Sequence, residues 1–263
     1  AYDVSACLVG SEMCIRDRRG TAIRTDDFVW NISWMGATVK NKVLKLTNTA
    51  PEIIKGVYSI KEDMPINTFY MAKSAGVDPA TGAQLYWVYD KDENGNIINE
   101  RISDDYSKAS TSKYYQGNRI PDLYGSIGTD FSYKGFDLSV LTSYSIGGKI
   151  YDSLYTGSMN AQYATNTWNK HQLRRWQKPG DITDVPRVEI NGAYTTTDRF
   201  LINASYFAIK NITLGYSLPK DWMRKAKLGN VRVFGSIDNL ALFSHLKGMD
   251  PQYNFEGETD YSY

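Results

Sequence analysis

Two consecutive stretches of the chain alternate strictly between apolar and polar residues, which is the two-residue period of a β-strand. The apolar face of residues 123–133 consists of Leu123, Ile127, Thr129, Phe131 and Tyr133. After Lys134-Gly135 the pattern restarts, and its apolar face consists of Phe136, Leu138, Val140, Thr142, Tyr144 and Ile146. A glycine at the second position of such a short connection is typical of a tight hairpin. The sequence therefore predicts two long antiparallel strands joined by a two-residue turn.

Each stretch has about ten residues or more, the length that a tilted strand needs to cross the hydrocarbon core of a membrane. Residues 202–218 and 231–240 alternate in the same way. The segment 149–199 has no sustained period, and long irregular loops are rare in compact soluble domains but common on the outer rim of membrane barrels. We therefore predict an all-β fold, a partial transmembrane antiparallel β-barrel with long extracellular loops.

One charged residue interrupts the pattern of residues 202–218. If this strand is regular, Lys210 lies on the apolar face together with Ala204, Tyr206, Ala208, Ile212, Leu214, Tyr216 and Leu218. A charge that faces lipid at mid-membrane costs about 2–4 kcal/mol. Phe207 and Ile209 lie on the polar face of the same regular strand. We expect either that Lys210 lies near an interface or that a β-bulge beside it shifts the register.

Four shorter segments add to the predicted strands, namely residues 28–34, 41–46, 67–72 and 84–89. The last two are expected to pair around residues 76–82, which are rich in turn-forming residues. The total is about seven strands of a barrel wall. Short turns of bacterial barrels face the periplasm, so residues 149–199 and 243–263 are expected outside the cell.

The composition excludes fewer classes of function than the alternation of apolar and polar residues does. The net charge of +1 gives no reason to expect a nucleic-acid partner. No apolar run approaches the length of about 18 residues that a spanning helix needs. Aromatic residues make up 13% of the chain, with 20 Tyr. This bias is typical both of the aromatic girdles of barrels and of carbohydrate-binding surfaces.

Both cysteines, Cys7 and Cys14, lie in the first eighteen residues. The string Ala6-Cys7-Leu8-Val9-Gly10-Ser11-Glu12-Met13-Cys14-Ile15-Arg16-Asp17-Arg18 resembles translated sequencing-adapter read-through. We therefore predict that residues 1–18 are not part of the natural protein. The alternative is a signal peptide, but Glu12 and Asp17 interrupt its apolar stretch. The remaining residues, 19–263, are expected to be the C-terminal part of a barrel domain, truncated before its closing strand.

Several motifs resemble, in order, the SusC/RagA-like TonB-linked outer membrane proteins of Bacteroidota. The matching segments are Trp30-Asn31, Gly76-Val77-Asp78-Pro79 with Thr81-Gly82, Tyr133-Lys134-Gly135-Phe136, Gly147-Gly148, Arg175-Trp176, Pro186-Arg187, Asn203-Ala204-Ser205-Tyr206, Ile212-Thr213-Leu214-Gly215-Tyr216, Asp238-Asn239-Leu240 and Gly248-Met249-Asp250-Pro251. The family commonly has Arg where this chain has Ala208, so the role of that side chain is not carried over. The agreement extends over nearly the whole chain after residue 18.

The resemblance implies a barrel of about 22 strands in the intact protein, of which this chain supplies the C-terminal part. It also implies a function, namely energised import of glycan oligosaccharides or other large nutrients across the outer membrane. The implied partners are a SusD-like surface lipoprotein, the TonB-ExbB-ExbD complex acting through N-terminal parts that this chain lacks, and outer-membrane lipid. The alternative from the residues alone is a secreted soluble β-sandwich that binds carbohydrate.

No catalytic constellation, metal site or cofactor site is predicted, and we do not expect an enzyme. Residues 90–95 begin like a calcium-binding loop, but Arg101 stands where that loop requires a bidentate glutamate. His171 and His245 are far apart in sequence and have no cysteine partner. A hydrolase would need a pair of carboxylates that cannot be singled out here.

The long loop carries the candidate ligand contacts, which are Tyr155, Tyr163, Trp168 and Trp176. Sugar rings stack on aromatic side chains, and neighbouring Asn, Gln and Arg side chains can bond to hydroxyl groups. The simpler interpretation is that these rings pack the loop against itself. A third possibility is contact with a lid protein.

Overall fold

The computed structural model describes residues 8–46, 51–93, 96–160, 167–189, 196–225, 228–245 and 251–254. The chain forms two compact units. The wall unit consists of residues 11–41, 120–148 and 203–263, and the loop unit consists of residues 1–10, 42–119 and 149–202.

The wall unit is built on one antiparallel sheet, which we call the wall sheet. Its strands are β1 (Leu8–Arg24), β2 (Phe28–Lys45), β10 (Leu123–Tyr133), β11 (Phe136–Ile146), β14 (Tyr206–Ser217) and β15 (Arg232–Ser244), in the order β1-β2-β10-β11-β14-β15. The strands of the wall therefore follow one another in sequence order, without a crossover. The predicted strands 28–34 and 41–46 are one continuous strand, β2.

The register confirms the predicted alternation. Across β10 and β11, Ile127 pairs with Thr142 and Phe131 pairs with Leu138, so the predicted apolar positions lie on one face. Phe131 also pairs with Trp30 of β2, which extends the same face. Further along the wall, Leu214 and Ile237 of this face are 54% and 55% exposed. Large apolar side chains on an uncovered sheet face are unfavourable in water and favourable against lipid.

Aromatic residues form a row across this face at the end where the short turns lie. Phe28 pairs with Tyr133, Tyr133 with Phe136, and Phe136 with Tyr216. The rings of Phe136 and Tyr216 have centroids 4.4 Å apart. The rings of Trp30 and Phe131, next to the row, are stacked at 5.4 Å. Such a band is what the aromatic girdle of a barrel requires at a membrane interface.

The predicted two-residue hairpin is confirmed. Lys134 and Gly135 connect β10 to β11 with φ values of 46° and 90°, and Tyr133 pairs with Phe136. Positive φ at both central residues defines the type I′ turn, whose twist matches that of the flanking strands.

The predicted bulge beside Lys210 is also confirmed. Val140 pairs with Ile212, but Thr142 pairs with Ile209, so the register of β14 shifts at Lys210. Beyond the shift, Phe207 joins the apolar face opposite Tyr144, while Ala208 pairs with Ser143 on the polar face. The prediction that Tyr206 and Ala208 share a face with Leu214 is therefore wrong, because it assumed a regular strand across the bulge.

Short and long connections leave the wall sheet at opposite ends of its strands. The turns after β1 and β10 and the connection from β14 to β15 are short, whereas the segments 46–122 and 147–205 leave from the other end. This is the arrangement that the sequence predicted for a barrel with long loops on one rim.

In its described residues, the loop unit contains three small sheets. They are β3 (Glu52–Lys55), β4 (Tyr58–Lys61), β5 (Thr68–Met71) and β9 (Tyr114–Asn118); β6 (Lys73–Val77), β7 (Gln84–Lys91) and β8 (Ile97–Ser103); and β12 (Lys149–Tyr151) with β13 (Leu201–Asn203). The predicted strands 67–72 and 84–89 thus exist, but the prediction that they pair with each other is wrong. In these small sheets, β5 pairs with β4 and β9, and β7 pairs with β6 and β8. The wall sheet accordingly has six strands, compared with about seven predicted.

Short helices complete the unit and the wall connections. The α-helices are α1 (Tyr106–Thr111), α2 (Ser153–Ser158) and α3 (Lys220–Lys225), and 3-10 turns lie at Lys170–Arg174, Asp198–Phe200 and Pro251–Asn254. Within the described ranges, no helix has the length and apolar content needed to span a membrane.

Small apolar cores hold the loop unit together. The three clusters of buried residues are Ala72, Tyr86, Val88 and Ala109; Val43, Leu46 and Ile60; and Met159, Val185 and Phe200. The two long segments of the unit meet where Ala72 bridges Thr197 and the Ser74 N–H donates to Asp198 Oδ1 at 2.7 Å. The long loop therefore folds on itself and on the earlier segment.

The assignment of residues 1–18 to adapter sequence stays a prediction. The structure places residues 8–18 in β1, the edge strand, where Thr21 Oγ1 donates to Asn31 Oδ1 of β2 at 2.8 Å. An unpaired strand edge offers donors and acceptors to any adjacent extended segment, so the pairing does not identify the origin of β1. Cys14 is a free, exposed thiol, and Cys7 lies outside the described residues.

Candidate functional site

Tyr155, one of the four predicted contact residues, lies in a packed aromatic cluster. Its hydroxyl is 2.8 Å from His171 Nδ1, and its ring meets that of Phe200 edge-on at 5.9 Å. Burial raises the pKa of the Tyr155 hydroxyl, against the opposing effect of the positive charges of Arg199 and Arg174. These contacts indicate that Tyr155 stabilises the packing of the long loop.

Trp176 is held against the turn that follows β6. Its Nε1 donates to the carbonyl of Pro79 at 2.9 Å, and its ring covers Gly82, where an added Cβ would overlap the ring. Gly180 N–H donates to the same Pro79 carbonyl at 2.8 Å. Arg187 adds two bonds, from its N–H to the Gly82 carbonyl and from its guanidinium to the Thr81 carbonyl, both 2.9 Å. We call this arrangement the Trp176 clamp.

The clamped turn is ordered from within by Asp78. The carboxylate of Asp78 accepts from the Thr81 hydroxyl at 2.6 Å and from the Ala80 N–H at 2.9 Å. These bonds, that from Thr81 first, hold the pKa of Asp78 below its ordinary value. Three separate motifs of the sequence therefore meet in one place, namely Gly76–Gly82, Arg175-Trp176 and Pro186-Arg187.

Trp168 is 38% exposed, and Tyr163 lies outside the described residues. Tyr155 and Trp176 are thus engaged in contacts within the loop unit, and Trp168 presents part of its ring to the outside. A role of the four residues in contacting a ligand or a lid stays a prediction.

The carboxylates of the β7–β8 hairpin are engaged in an ion pair and in hydrogen bonds. In the described residues no three His, Cys, Asp or Glu side chains are grouped as a metal site would require. Near the end of β7, Asp90 forms an ion pair with Arg101, and in the turn that follows, Asp92 accepts from the Asn96 N–H at 2.8 Å. These carboxylates therefore serve the β7–β8 hairpin. The bond from Arg101 is the main cause that lowers the pKa of Asp90.

A second aromatic group, which the sequence analysis did not single out, lies on the sheet β3-β4-β5-β9. Tyr70 of β5 and Tyr115 of β9 are directly paired in register, and their rings are stacked with centroids 4.7 Å apart. Tyr115 is 38% exposed. We call this pair the Tyr70/Tyr115 platform. Its only sequence signal was the Tyr114-Tyr115 doublet, since Tyr70 lies 45 positions away along the chain.

Three lysine ammonium groups surround the platform. Lys61 Nζ lies 5.2 Å from the ring centroid of Tyr115, and Lys113 Nζ lies 5.8 Å from that of Tyr70. Lys91 Nζ lies 5.1 Å from the ring of Tyr89, whose hydroxyl donates to the Lys113 carbonyl at 2.6 Å. Each of these is a cation–π contact.

Glu52 is an acidic residue in contact with the platform. It accepts from the Tyr115 hydroxyl at 2.9 Å and from the buried Ser59 hydroxyl at 2.6 Å. Burial, and then the bond to the Glu52 carboxylate, raises the pKa of the Tyr115 hydroxyl, and burial also raises that of Tyr70. Both hydroxyls therefore stay protonated and act as donors at neutral pH.

The wall sheet defines the class of fold, that of a segment of a transmembrane β-barrel wall. The chain is similar to TonB-dependent receptors of the SusC/RagA kind over about nine tenths of its length. It is 27% identical over 277 aligned positions to TonB-dependent receptor P3 of Formosa agariphila, an alignment that covers 95% of this chain and 26% of that protein. It is 26% identical to TonB-dependent receptor SusC of Bacteroides thetaiotaomicron, with 88% of this chain and 23% of that protein covered.

Solved structures give the same fold. The RagAB peptide transporter superposes with a TM-score of 0.79 at 24% identity, covering 93% of this chain and 27% of that chain. The "open-open" state of the RagAB peptide importer gives a TM-score of 0.72 at 22% identity, covering 94% and 26%. No family model matches the chain. The chain spans about a quarter of the length of the curated relatives it matches.

Proposed function

We propose that this chain forms part of the wall and outer loops of a TonB-dependent outer-membrane transporter that imports large nutrients, glycan oligosaccharides in particular. The observation that carries the proposal is the wall sheet, with an exposed apolar face, an aromatic row at its short-turn end and a polar face on the other side. The names of the relatives, TonB-dependent receptor and SusC, support the energised mechanism.

The polar face of the wall sheet fits a water-filled lumen. Asp130 pairs with Ser139, whose hydroxyl donates to it at 2.7 Å, and Asn211 donates to Asp238 at 2.7 Å and to Ser236 at 2.9 Å. A soluble β-sandwich would instead bury the apolar face against a second sheet. The similarity to a transporter barrel and the exposure of that face both argue against the sandwich.

The proposed partners are a SusD-like surface lipoprotein at the loop end and TonB-ExbB-ExbD acting through other parts of the transporter. Tyr155, Tyr163, Trp168 and Trp176 are proposed contacts for a glycan or for the lipoprotein, and Trp168 is the described one with the most accessible ring. The superposed RagAB structures are those of a peptide transporter, so peptides are the competing substrate class.

The orientation of the wall is testable on the full chain with two tryptophans. Trp30 and Trp34 of β2 pair with Phe131 and Ile127 on the apolar face. After the chain is refolded into vesicles containing lipids with brominated acyl chains, their fluorescence should be quenched, and the variants Trp30→Phe and Trp34→Phe should each remove part of the quenching. Equal fluorescence in brominated and ordinary lipid, or a soluble monomer without detergent, would contradict the proposal.

The transport itself is tested by disrupting the gene in the source bacterium and comparing growth on purified oligosaccharides, peptides and monosaccharides. Loss of growth on one oligosaccharide class, with unchanged growth on its monosaccharides, is the expected result. Loss on peptides alone would overturn the glycan assignment and retain the transporter. Unchanged growth on every polymer would contradict both.

A further inference from the structure

We propose that the Tyr70/Tyr115 platform binds an anionic oligosaccharide, that is, a sugar oligomer that carries carboxylate or sulfate groups. The inference rests on the proposed function for the class of ligand and specifies its charge. Neither ring of the platform belongs to the four residues predicted from the sequence.

The two rings of the platform form a rigid group. Tyr70 and Tyr115 are inclined by 29° and stacked, so each covers one face of the other, and Tyr115, on the edge strand β9, is the more exposed ring. Strand pairing fixes the position of both backbones, and the bond from the Tyr115 hydroxyl to Glu52 fixes the outer ring. A rigid, partly exposed ring pair offers a contact for the C–H face of a sugar ring at little cost in conformational entropy.

Positive charge is concentrated around the rings. Within the described residues, Lys61, Lys91 and Lys113 form no ion pair with a carboxylate, and each ammonium group rests against a ring. By contrast, Lys42 and Lys108 of the same unit are paired with Asp63 and Asp105. The platform therefore brings three positive charges to one place, against the single carboxylate of Glu52, which two hydroxyls already engage.

The rings and the charges together specify the ligand. An exposed cation–π contact is weak, and a lysine side chain is flexible enough to turn its ammonium group toward a ligand anion. The sugar ring would then take the place of the ammonium group on the tyrosine, while the anion binds the displaced charge. A neutral sugar would displace the lysine ammonium groups from the rings and would offer them no anion to bind. The site should therefore bind anionic sugars more tightly than neutral ones.

The test is a set of calorimetric titrations of the full chain in detergent. The probes are an oligogalacturonate, a sulfated dextran oligomer, neutral dextran of the same length and a short polyglutamate peptide. Binding of at least one anionic sugar, weakened by salt, is expected. Lys61→Gln combined with Lys113→Gln should weaken it by about tenfold or more, since charge-assisted contacts are lost. The control is Lys108→Gln, which removes one positive charge from α1, as each single lysine variant does at the platform, and should leave binding unchanged.

Two further variants make the result independent of any folding defect. Lys91→Gln removes the third cation from an exposed strand end and should weaken anionic sugars alone. Tyr115→Ala should weaken anionic and neutral sugars by the same factor, because it removes the ring and leaves the lysines. Correct folding of each variant is checked by circular dichroism.

Each outcome has a definite meaning. Equal binding of neutral dextran, or no effect of the lysine variants on anionic sugars, would overturn the inference. Binding of polyglutamate without any sugar would replace the sugar by an acidic peptide and also overturn it. None of these results touches the lipid-quenching and growth experiments, so failure of the inference is distinguishable from failure of the proposed function.

Discussion

Arg232 and Asp137 form a two-bonded ion pair that spans strand β14. Arg232 on β15 donates from Nε to Asp137 Oδ1 at 2.9 Å, and Nη2 bonds to Oδ2. The strand between them carries Gly215, which pairs with Asp137 and has no side chain to obstruct the contact. The pair therefore ties β11 to β15 across an intervening strand, on the polar face near the short-turn end.

We expect loss of this pair to destabilise the wall modestly. The side chains are 41% and 35% exposed, so solvent screens the interaction, and exposed pairs contribute about 0.2–1 kcal/mol. Arg232→Gln or Asp137→Asn should lower the free energy of unfolding only slightly, measured by urea unfolding in detergent. The double variant should cost less than the sum of the two. Strict additivity would show that the two side chains do not interact.

Gly215→Ala should cost about as much as loss of the ion pair. A Cβ at position 215 would lie 2.6 Å from both carboxylate oxygens of Asp137, and these flexible side-chain ends would move and separate the ion pair. The matched control is Gly235→Ala on β15, where nothing lies within 4 Å of the added atom. In the same unfolding assay, we expect Gly215→Ala to lower the free energy of unfolding about as much as Asp137→Asn does, and the control to change it less. Equal effects would contradict the proposed role of the missing side chain.

The hairpin between β10 and β11 should tolerate changes at one turn position and not at the other. Gly135→Ala forces a Cβ into φ 90° and toward the Ser217 carbonyl, 2.9 Å away, and should cost about 1–2 kcal/mol. Lys134→Asn should be neutral or stabilising, because Asn adopts φ near 46° more readily than Lys. Lys134→Asn also removes a weak, exposed ion pair, in which Lys134 Nζ lies 3.3 Å from Asp27 Oδ2. A stabilising Gly135→Ala would exclude the type I′ turn.

The turn and the bulge could be predicted because both are local. Lys134-Gly135 has a turn signature, and Lys210 between two apolar residues conflicts with a regular strand, so each feature is encoded within a few residues. The Trp176 clamp and the Tyr70/Tyr115 platform could not be predicted in the same way. In the clamp, for example, Trp176 and Pro79 are 97 residues apart in the sequence. The alternation of apolar and polar residues carries no information about such distant contacts.

The sheet to which each short strand belongs could not be predicted, for the same reason. Residues 67–72 and 84–89 have the composition of strands and form them, yet the sheet that a strand joins is decided by its partners. Their partners are short strands of the loop unit, such as β9 and β6, and the long β2 and β10 pair with each other instead. Length separates the two groups in hindsight, since the four residues of β5 are too few to cross a membrane.

The Trp176 clamp predicts a graded response to substitution. Trp176→Phe keeps a ring over Gly82 and loses the bond to Pro79, whereas Trp176→Ala loses both, so protection of residues 78–82 from hydrogen exchange should fall progressively. Gly82→Ala should resemble Trp176→Ala, because φ at Gly82 is 73° and the ring occupies the space of a Cβ. Trp168→Ala is the control and should leave residues 78–82 unchanged. Faster exchange there in Trp168→Ala would place the stabilising contact elsewhere.

Asp198 gives the loop unit a pH-dependent stability. Its carboxylate is partly buried beside the bridge between Ala72 and Thr197, and burial raises its pKa above the ordinary value, against the opposing bond from Ser74. Because the folded state then binds the proton more tightly than the unfolded state, stability is highest below the ordinary carboxyl pKa and decreases as pH rises through the raised value.

Asp198→Asn keeps an oxygen for the Ser74 N–H and removes the charge. It should stabilise the unit at pH 7, and the difference should vanish near pH 3. Hydrogen exchange at residues 72–74 over this range measures it, with exposed Asp104→Asn as the control. A variant less stable than the parent at pH 7 would show that the ionised carboxylate is favourable.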